Sequence, residues 1–469
     1  MQSYPNLCNW EFYRMHIPLI DSYVNLVRNN RDYRFLWLSQ VVSLTGDWFT
    51  LIASATLVAN LSGSGLAIGG LFLARLLPPF VLGPLAGVLA DRFDRLKILI
   101  ASDLLRAAVV VNFLFINSAD EVWLLYVLTV LQLSISAFFE PTRAAVMPSI
   151  VARHDLVTAN ALDGTTWSTM LALGAALGGL AAATLGITAA FVIDAATFLV
   201  SAWFVSRITR TAARPVKSVT GEVETTIGGF IAGVRYLWQR PAVLVIALVK
   251  ASSSLAFGGV AVVEVMFAEK VFPLGTDGSA TLGLIYLSIG IGTGLGPLVA
   301  RHLTGDNPQA MQWGIFASYV AMLGGYLTLG WSATLPIMLL ATFTRAVGTG
   351  INWVYSSSLL QMIVPGNYLG RVFAFDLAMM TLASSASTLW VGWAQDNLGL
   401  GPLQLGMWLA VVPAVMGLSW ILFMNTGFKQ SQSYSETVLS DDKPTKMGHH
   451  RDGHFADRWP GLDIPPSIK

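Results

Sequence analysis

Charge is what this sequence has least of. Asp, Glu, Lys and Arg make up 12% of its 469 residues, about half the usual share of a soluble globular domain. With 54% hydrophobic residues and a mean hydropathy of +0.61, the deficit excludes a soluble fold and points to a chain that spans a lipid bilayer. The signs nearly cancel, Lys+Arg 28 against Asp+Glu 27, so there is no basic surface for nucleic acid. Cysteine is as scarce: Cys8 stands alone and excludes an intramolecular disulfide. Enzyme motifs are missing too, with no G-x-x-x-x-G-K-[ST], no G-x-S-x-G and no H-E-x-x-H. The phosphate cradle, nucleophile elbow and zinc pair that those patterns build are therefore not expected. His449, His450 and His454 share a polar C-terminal stretch without the structured neighbours a metal site needs. No enzyme, no cofactor and no metal is expected. Residues 1–32 lack a sustained apolar core, interrupted as they are by Glu11 and Asp21, which argues against a cleavable secretory signal.

What is present is a succession of apolar runs, each long enough to cross a bilayer. The first covers 33–61 and carries Asp47; the second covers 67–90 with Arg75 and Pro78-Pro79. The third, 96–117, holds Asp103 and Arg106 one helical turn apart, a spacing that permits a local ion pair. Runs at 122–140, 165–185 and 188–205 follow, the last with Asp194. A polar connection, PTRAAVMPSIVARHDLVTANALDG, joins the fourth run to the fifth. Arg207, Arg210, Arg214, Lys217, Arg235 and Arg240 then break the series. We read 207–240 as a cytoplasmic linker ending in an amphipathic helix, 227–238, that lies on the membrane surface. Six further runs occupy 243–267, 282–303, 311–329, 335–357, 372–393 and 402–424, and the polar tail 427–469 is expected to be disordered. The domain reading is an N-terminal cytoplasmic segment, 1–32, two six-helix bundles at 33–206 and 241–426 separated by the linker 207–240, and the tail.

Loop charge orients the chain. Arg92, Arg95, Lys97, Arg143, Arg153, Arg301 and Arg371 sit in alternate connections, and the remaining connections show only Lys270. The positive-inside rule then puts both termini in the cytoplasm. The second half also echoes the first. LGPL at 82–85 recurs at 295–298, and the same offset of 213 carries Asp163 onto Asp376, as duplicated bundles require.

The stretch at 83–97, GPLAGVLADRFDRLK, is the most informative turn. Gly87 allows close backbone approach, Asp91 can accept hydrogen bonds from a helix N-terminus, and Arg92, Arg95 and Lys97 hold the turn at the cytoplasmic side. Its G-x-x-x-D-R-x-x-R pattern resembles the loop between the second and third helices of major facilitator superfamily transporters. ARLLPPFVLGPLAGVLADRFDR, FFEPTRAAVMPSIV, LVTANAL and the late GRVFA look like the bacterial exporter branch that includes macrolide-efflux and enterobactin-exporter proteins. The resemblance implies an all-α membrane protein of twelve transmembrane helices in two pseudo-symmetric six-helix bundles, multi-pass in a bacterial inner membrane. It implies a secondary active transporter that exports amphipathic small molecules in exchange for protons, and a monomer is expected. Two features argue the other way: Gly174-Ala175-Ala176 lacks the Pro of an antiporter signature, and 122–139 lacks the Arg associated with proton coupling. A facilitator or importer of a lipid-like or anionic metabolite therefore stays open, as does a non-transporting receptor or assembly factor.

A charge at the bilayer centre is costly, so a retained one faces protein or water and has a partner. Asp47, Arg75, Asp194, Lys250, Glu264 and Arg345 qualify. In the superfamily the first helix of each bundle lines the central cavity, which makes Asp47 and Glu264 the candidate proton carriers, with Arg75 and Arg345 as working partners. Ion pairs that merely lock helices together are the competing reading. Asp194 and Lys250 lie nearer the ends of their runs, where a lone charge snorkels. Trp48 and Trp353, with Phe49, Trp167, Phe257 and Tyr355, can line an adaptable aromatic cavity or simply face lipid. A cytoplasmic gate follows from the resemblance. Gly87, Asp91, Arg92 and Arg95 match the hairpin, whose Asp caps the eleventh helix while its Arg reaches acidic groups, here Glu140 and Asp376, in the outward-facing state. Gly174, Gly178, Ala182 and Gly186, and the row Gly290, Gly292, Gly294 and Gly296, mark packing seams.

Overall fold

The computed structural model describes residues 18–152, 155–209, 226–305 and 307–426, and for some of these, 83–92 included, the backbone alone. The expectations for the linker cations up to Lys217 and for the tail 427–469, with its three histidines, lie outside the described residues, Arg207 excepted. The chain divides into two units, Met1–Ile421 and Leu422–Lys469; everything below concerns the first, apart from the last residues of the final helix.

Every described regular element is helical. A short α1, Pro18–Asn29, precedes α2, Arg31–Ser62. The turn between them is set by Asn30, whose side chain accepts from the Tyr33 N–H, and α2 stops at Gly63, where φ is +60°, a left-handed conformation that glycine adopts without strain. There follow α3, Gly65–Arg92; α4, Arg95–Val111; α5, Val122–Ile150; α6, Leu156–Leu185; and α7, Ile187–Ser206. The second half repeats the plan after α8, Thr226–Trp238. Helices α9, Pro241–Ala247, and α10, Val249–Met266, form one span, and then come α11, Ser279–Thr304; α12, Pro308–Gly330; α13, Leu335–Ile363; α14, Gly366–Leu398; and α15, Pro402–Thr426. Among the described residues, 11 helical spans are long and apolar enough to cross a membrane. The remaining expected span is α13, 29 residues long, whose apolar character is diluted by Arg345, Asn352 and a run of serines. Among the described residues the architecture is thus all-helical, with these twelve spans in two bundles.

The helices outrun the apolar stretches. The connection expected at 141–164 is largely helical, because α5 continues through Pro141 and Pro148 to Ile150 and α6 begins at Leu156. Side chains satisfy the polar extension: the Thr142 hydroxyl donates to the Phe138 carbonyl at 2.7 Å, and Arg143 ties α5 to α6 by donating to Asp163 at 2.5 and 2.9 Å. Likewise the hairpin is tighter than its sequence suggests. Gly87, Asp91 and Arg92 belong to the helical backbone of α3, and Asp94 caps α4 by accepting from the Lys97 N–H at 3.2 Å. Helix α8 rests on the start of α14, where Tyr236 and Tyr368 stack with ring centroids 4.5 Å apart.

Adding 213 to the bounds of α5 gives those of α13, and the starts of α3, α4, α6 and α7 land on those of α11, α12, α14 and α15 within a few residues. Helices α2 to α7 pack on one another, as do α10 to α14, with α15 set against α12, and the two sets meet along α6–α11 and α3–α14. The offset interchanges those seams, so one contact is made twice. Small residues allow it. A Cβ on Gly179 would sit 2.7 Å from the Gly283 Cα and the Ser279 carbonyl of α11, and one on Gly392 would sit 2.5 Å from the Gly65 carbonyl. The glycine row at Gly174 and Gly178 instead faces Trp48 and Phe49 of α2; the seam with α11 is one residue round the helix. Gly179→Ala is expected to lower the unfolding free energy by about 1–3 kcal/mol. Gly294→Ala, which meets nothing within 4 Å, should change it by less than about 1 kcal/mol; thermal unfolding of both variants in detergent checks the contrast.

Candidate functional site: buried charge in each bundle

In the first bundle the organising group is Arg106 of α4, 2% exposed. Its guanidinium lies between the rings of Phe139 and Phe198, 4.4 and 4.3 Å from their centroids. It pairs with Asp103 one turn earlier and stands 3.9 Å from the Asp47 carboxylate of α2. Asp103 also accepts from the Ser201 hydroxyl of α7 at 2.7 Å. Asp47 therefore takes Arg106 as its ion-pair partner, in place of Arg75; Arg75, on α3, forms no ion pair among the described residues and acts on Asp47 and Asp194 through space. Asp47 keeps 27% of its side chain exposed, and the next residue, Trp48, packs on Tyr286 of α11 at 5.5 Å, which puts this face of α2 against the opposite bundle.

Asp194 does not snorkel. It is fully buried on α7 and accepts from the Thr50 hydroxyl at 2.5 Å, with the Thr197 hydroxyl 3.2 Å from its other oxygen. Gly46 makes the room: a Cβ there would lie 2.2 Å from Asp194 Oδ1. Depth along the helix misleads here because α7 turns this residue inward, towards α2.

The second bundle holds two closed pairs. Arg345 of α13 and Glu264 of α10, 1% and 2% exposed, are joined by a hydrogen-bonded ion pair, and the Arg345 guanidinium faces the Tyr326 ring at 5.6 Å. Lys250 of α10 donates to Asp376 of α14 at 2.5 Å, with its ammonium 4.9 Å from the Trp353 ring and 5.3 Å from that of Phe373. Lys250, too, is interior rather than snorkelling. The aromatic set disperses: Tyr355 is buried with its hydroxyl 2.6 Å from that of Thr304, while Trp167, Phe257 and Trp353 are exposed.

Of the gate residues, the surroundings of Gly87 and the side chains of Asp91 and Arg92 lie outside the described residues. Arg95 donates to the Ala145 carbonyl at 2.8 Å. Glu140 accepts from Arg143 at 3.0 Å, and Asp376 is held by Lys250, so the two acids sit in separate clusters. At the opposite end of the bundles, where α2 gives way to α3, the helices are tied across the seam. Asp396 of α14 accepts from the Gly65 and Leu66 N–H groups at 2.8 and 3.0 Å and from the Ser64 hydroxyl at 2.6 Å. Lys270 donates to the Gly63 carbonyl at 3.2 Å.

A family model described as the Major Facilitator Superfamily matches residues 36–388. The chain belongs to that family. The superfamily is one of membrane transporters, which are not in general enzymes. Among curated relatives, the chain is 27% identical to an uncharacterized MFS-type transporter, YfiS of Bacillus subtilis (strain 168), over 76% of this chain and 85% of that protein. It is 24% identical to the putative bacilysin exporter BacE of the same strain, over 81% and 91%, and 26% identical to the multidrug efflux pump Tap of Mycolicibacterium fortuitum, over 78% and 90%. The fold is also that of the nucleoside transporter NupG, with a TM-score of 0.66 at 12% identity over 84% of this chain and 99% of that one.

Within this major facilitator chain, Asp396 and Thr50 gave no sequence signal, since each acts on a residue far away along the chain. Glu264→Gln is expected to cost about 3–5 kcal/mol by leaving Arg345 buried without its counter-charge. Glu264→Gln combined with Arg345→Met should cost less than the single change; denaturant unfolding of the three variants tests this coupling.

Proposed function

We propose that this transporter exports amphipathic small molecules in exchange for protons, moving them through a midplane site that the two bundles expose alternately. The observation that carries the reading is Asp47: a partly exposed carboxylate at bundle depth, loosely paired with Arg106 and adjacent to the inter-bundle contact of Trp48 with Tyr286. Such a group can take a proton in one access state and release it in the other as its surroundings change. The similarity to BacE, a putative exporter, and Tap, an efflux pump, favours export over import, and motifs such as FFEPTRAAVMPSIV and LVTANAL favour the macrolide-efflux and enterobactin-exporter branch. The protein works as a monomer in a bacterial inner membrane, with both termini and the 207–240 linker in the cytoplasm. Arg75, Glu264, Arg345 and Trp353 complete the pathway with Trp48.

In that orientation the Asp396 cap on α3 is a latch that holds the outer ends of the two bundles together. The cytoplasmic gate of Gly87, Asp91, Arg92, Arg95, Glu140 and Asp376 assembles when that latch opens, the hairpin arginine joining Lys250 at Asp376.

In inverted membrane vesicles, ethidium is expected to accumulate only under an imposed pH gradient, and Asp47→Asn should reduce accumulation to the level without a gradient while the protein still folds. Accumulation indifferent to the gradient would replace exchange by facilitated diffusion. Asp396→Ala removes a helix cap of about 0.5–2 kcal/mol, so it should shift the inward–outward equilibrium by roughly 2- to 30-fold towards outer opening. Distances between spin labels placed on α3 and α14 beside the cap measure that shift; an unchanged distribution would remove the latch.

A further inference from the structure

We propose that Asp194 holds a proton in this conformation and is the store from which the exchanged proton leaves when the bundles move. This rests on the proton-exchange reading above and names the residue that carries it. Charge around Asp194 does not balance. Among the described residues, three carboxylates, Asp47, Asp103 and Asp194, stand there against two arginines, Arg75 and Arg106; the other buried arginines of this bundle are engaged elsewhere, Arg95 by the Ala145 carbonyl and Arg143 by Glu140 and Asp163. Arg106 is engaged by Asp103 and Asp47. The second bundle is balanced, Glu264 with Arg345 and Lys250 with Asp376. The uncompensated acid is Asp194, which is fully buried and forms no ion pair among the described residues. A lone buried carboxylate costs many kcal/mol and is neutralised by a proton instead.

The hydrogens around Asp194 lead to the same place. Thr50 gives its one hydroxyl hydrogen to Asp194 Oδ2 at 2.5 Å. The Thr197 hydroxyl lies 2.7 Å from the main-chain carbonyl of Asp194 and 3.2 Å from Oδ1. It has a single hydrogen, and the carbonyl is the nearer acceptor. The contact to Oδ1 is then satisfied when Oδ1 itself carries hydrogen and the Thr197 oxygen accepts it. Placement supplies the route. Asp47 and Thr50 lie one turn apart on α2, so the partly exposed Asp47 and the hydroxyl touching Asp194 share a helix face. Gly46, next to Asp47, leaves the opening into which Asp194 projects. The charged groups facing Asp194 are Asp47 from α2, Arg106 from α4 and Arg75 from α3, with Asp103 behind Arg106. When the bundles rock and water reaches this face of α2, the proton passes from Asp194 Oδ1 to water by way of Asp47, leaving a carboxylate that Arg75 can approach.

Infrared spectra of the purified protein at neutral pH should contain the C=O stretch of a protonated carboxyl group. The band should survive Asp47→Asn and vanish in Asp194→Asn; its absence from the natural protein, or its persistence in Asp194→Asn, overturns the proposal. Thr197→Val removes the acceptor and should move the band to higher frequency, and an unmoved band also counts against it, which covers the case in which Asp194→Asn fails to fold. In inverted vesicles Asp194→Asn should abolish gradient-driven ethidium accumulation. If the natural protein shows no gradient dependence, the exchange reading falls, and the infrared band alone still decides whether Asp194 holds the proton.

Discussion

A charge carried into the interior of a helical bundle must be neutralised within a few ångströms of where it stops, since no water is there to do it. The arrangement of both bundles answers that demand. Arg106 sets α4 against α2, α5 and α7 by gathering Asp103 and Asp47 while resting between Phe139 and Phe198. Arg345 fixes α13 against α10 through Glu264, and Lys250 fixes α10 against α14 through Asp376. Within these clusters of described residues, neutralisation by a cation suffices except at Asp194, and the proton proposed there is the same rule met in another way.

The backbone of the chain is duplicated but its chemistry is not. The offset of 213 that superposes α5 on α13 and α3 on α11 carries Arg106 to Tyr319 and Gln132 to Arg345. Where the first bundle has an arginine gathering two acids, the second has a tyrosine hydroxyl 2.7 Å from that of Ser252. Where the second has its buried Glu264–Arg345 pair, the first has a buried amide. The acid pair Asp163 and Asp376 is kept, and each takes a cation from a different helix, Arg143 of α5 in one case and Lys250 of α10 in the other. Packing geometry is repeated because small residues at the seams are all it needs. The exchangeable group proposed above is needed once, and it lies in the first half.

Much of the fold was legible because it depends on local pattern: apolar runs long enough to span, polar turns between them, and the 213-residue echo. The Asp103–Arg106 contact was legible for the same reason, being one turn of one helix. The Glu264–Arg345 contact joins residues 81 apart and was found because each bundle offered few charges to combine. Sequence reasoning failed where radial position mattered. Depth along a helix follows from counting residues, but whether Asp194 or Lys250 points to lipid or to a neighbouring helix depends on rotation about the helix axis, which small hydrophobic asymmetries fix only in the assembled bundle. Asp47 has cations on two neighbouring helices, and nothing in spacing decides between Arg75 and Arg106. The connection at 141–164 was misjudged because Pro and polar residues read as loop, whereas Arg143 and Asp163 make a helical extension stable beyond the apolar stretch.

Alternating access asks that some contacts break on every cycle, and the distribution of strong and weak contacts indicates which. Each ion pair described above lies within one bundle, and removing one partner of such a buried pair costs about 3–5 kcal/mol. The seams are different. Along α6–α11 and α3–α14 they include close backbone contacts at Gly179, Gly283, Gly65 and Gly392 that can slide, and at the α2–α3 end the cap that Asp396 places on α3, worth about 0.5–2 kcal/mol. A motion that spares the ion pairs and breaks only seam contacts moves each bundle as a rigid body. On the proton exchange proposed above, one proton can tip an equilibrium that is held only by such weak contacts.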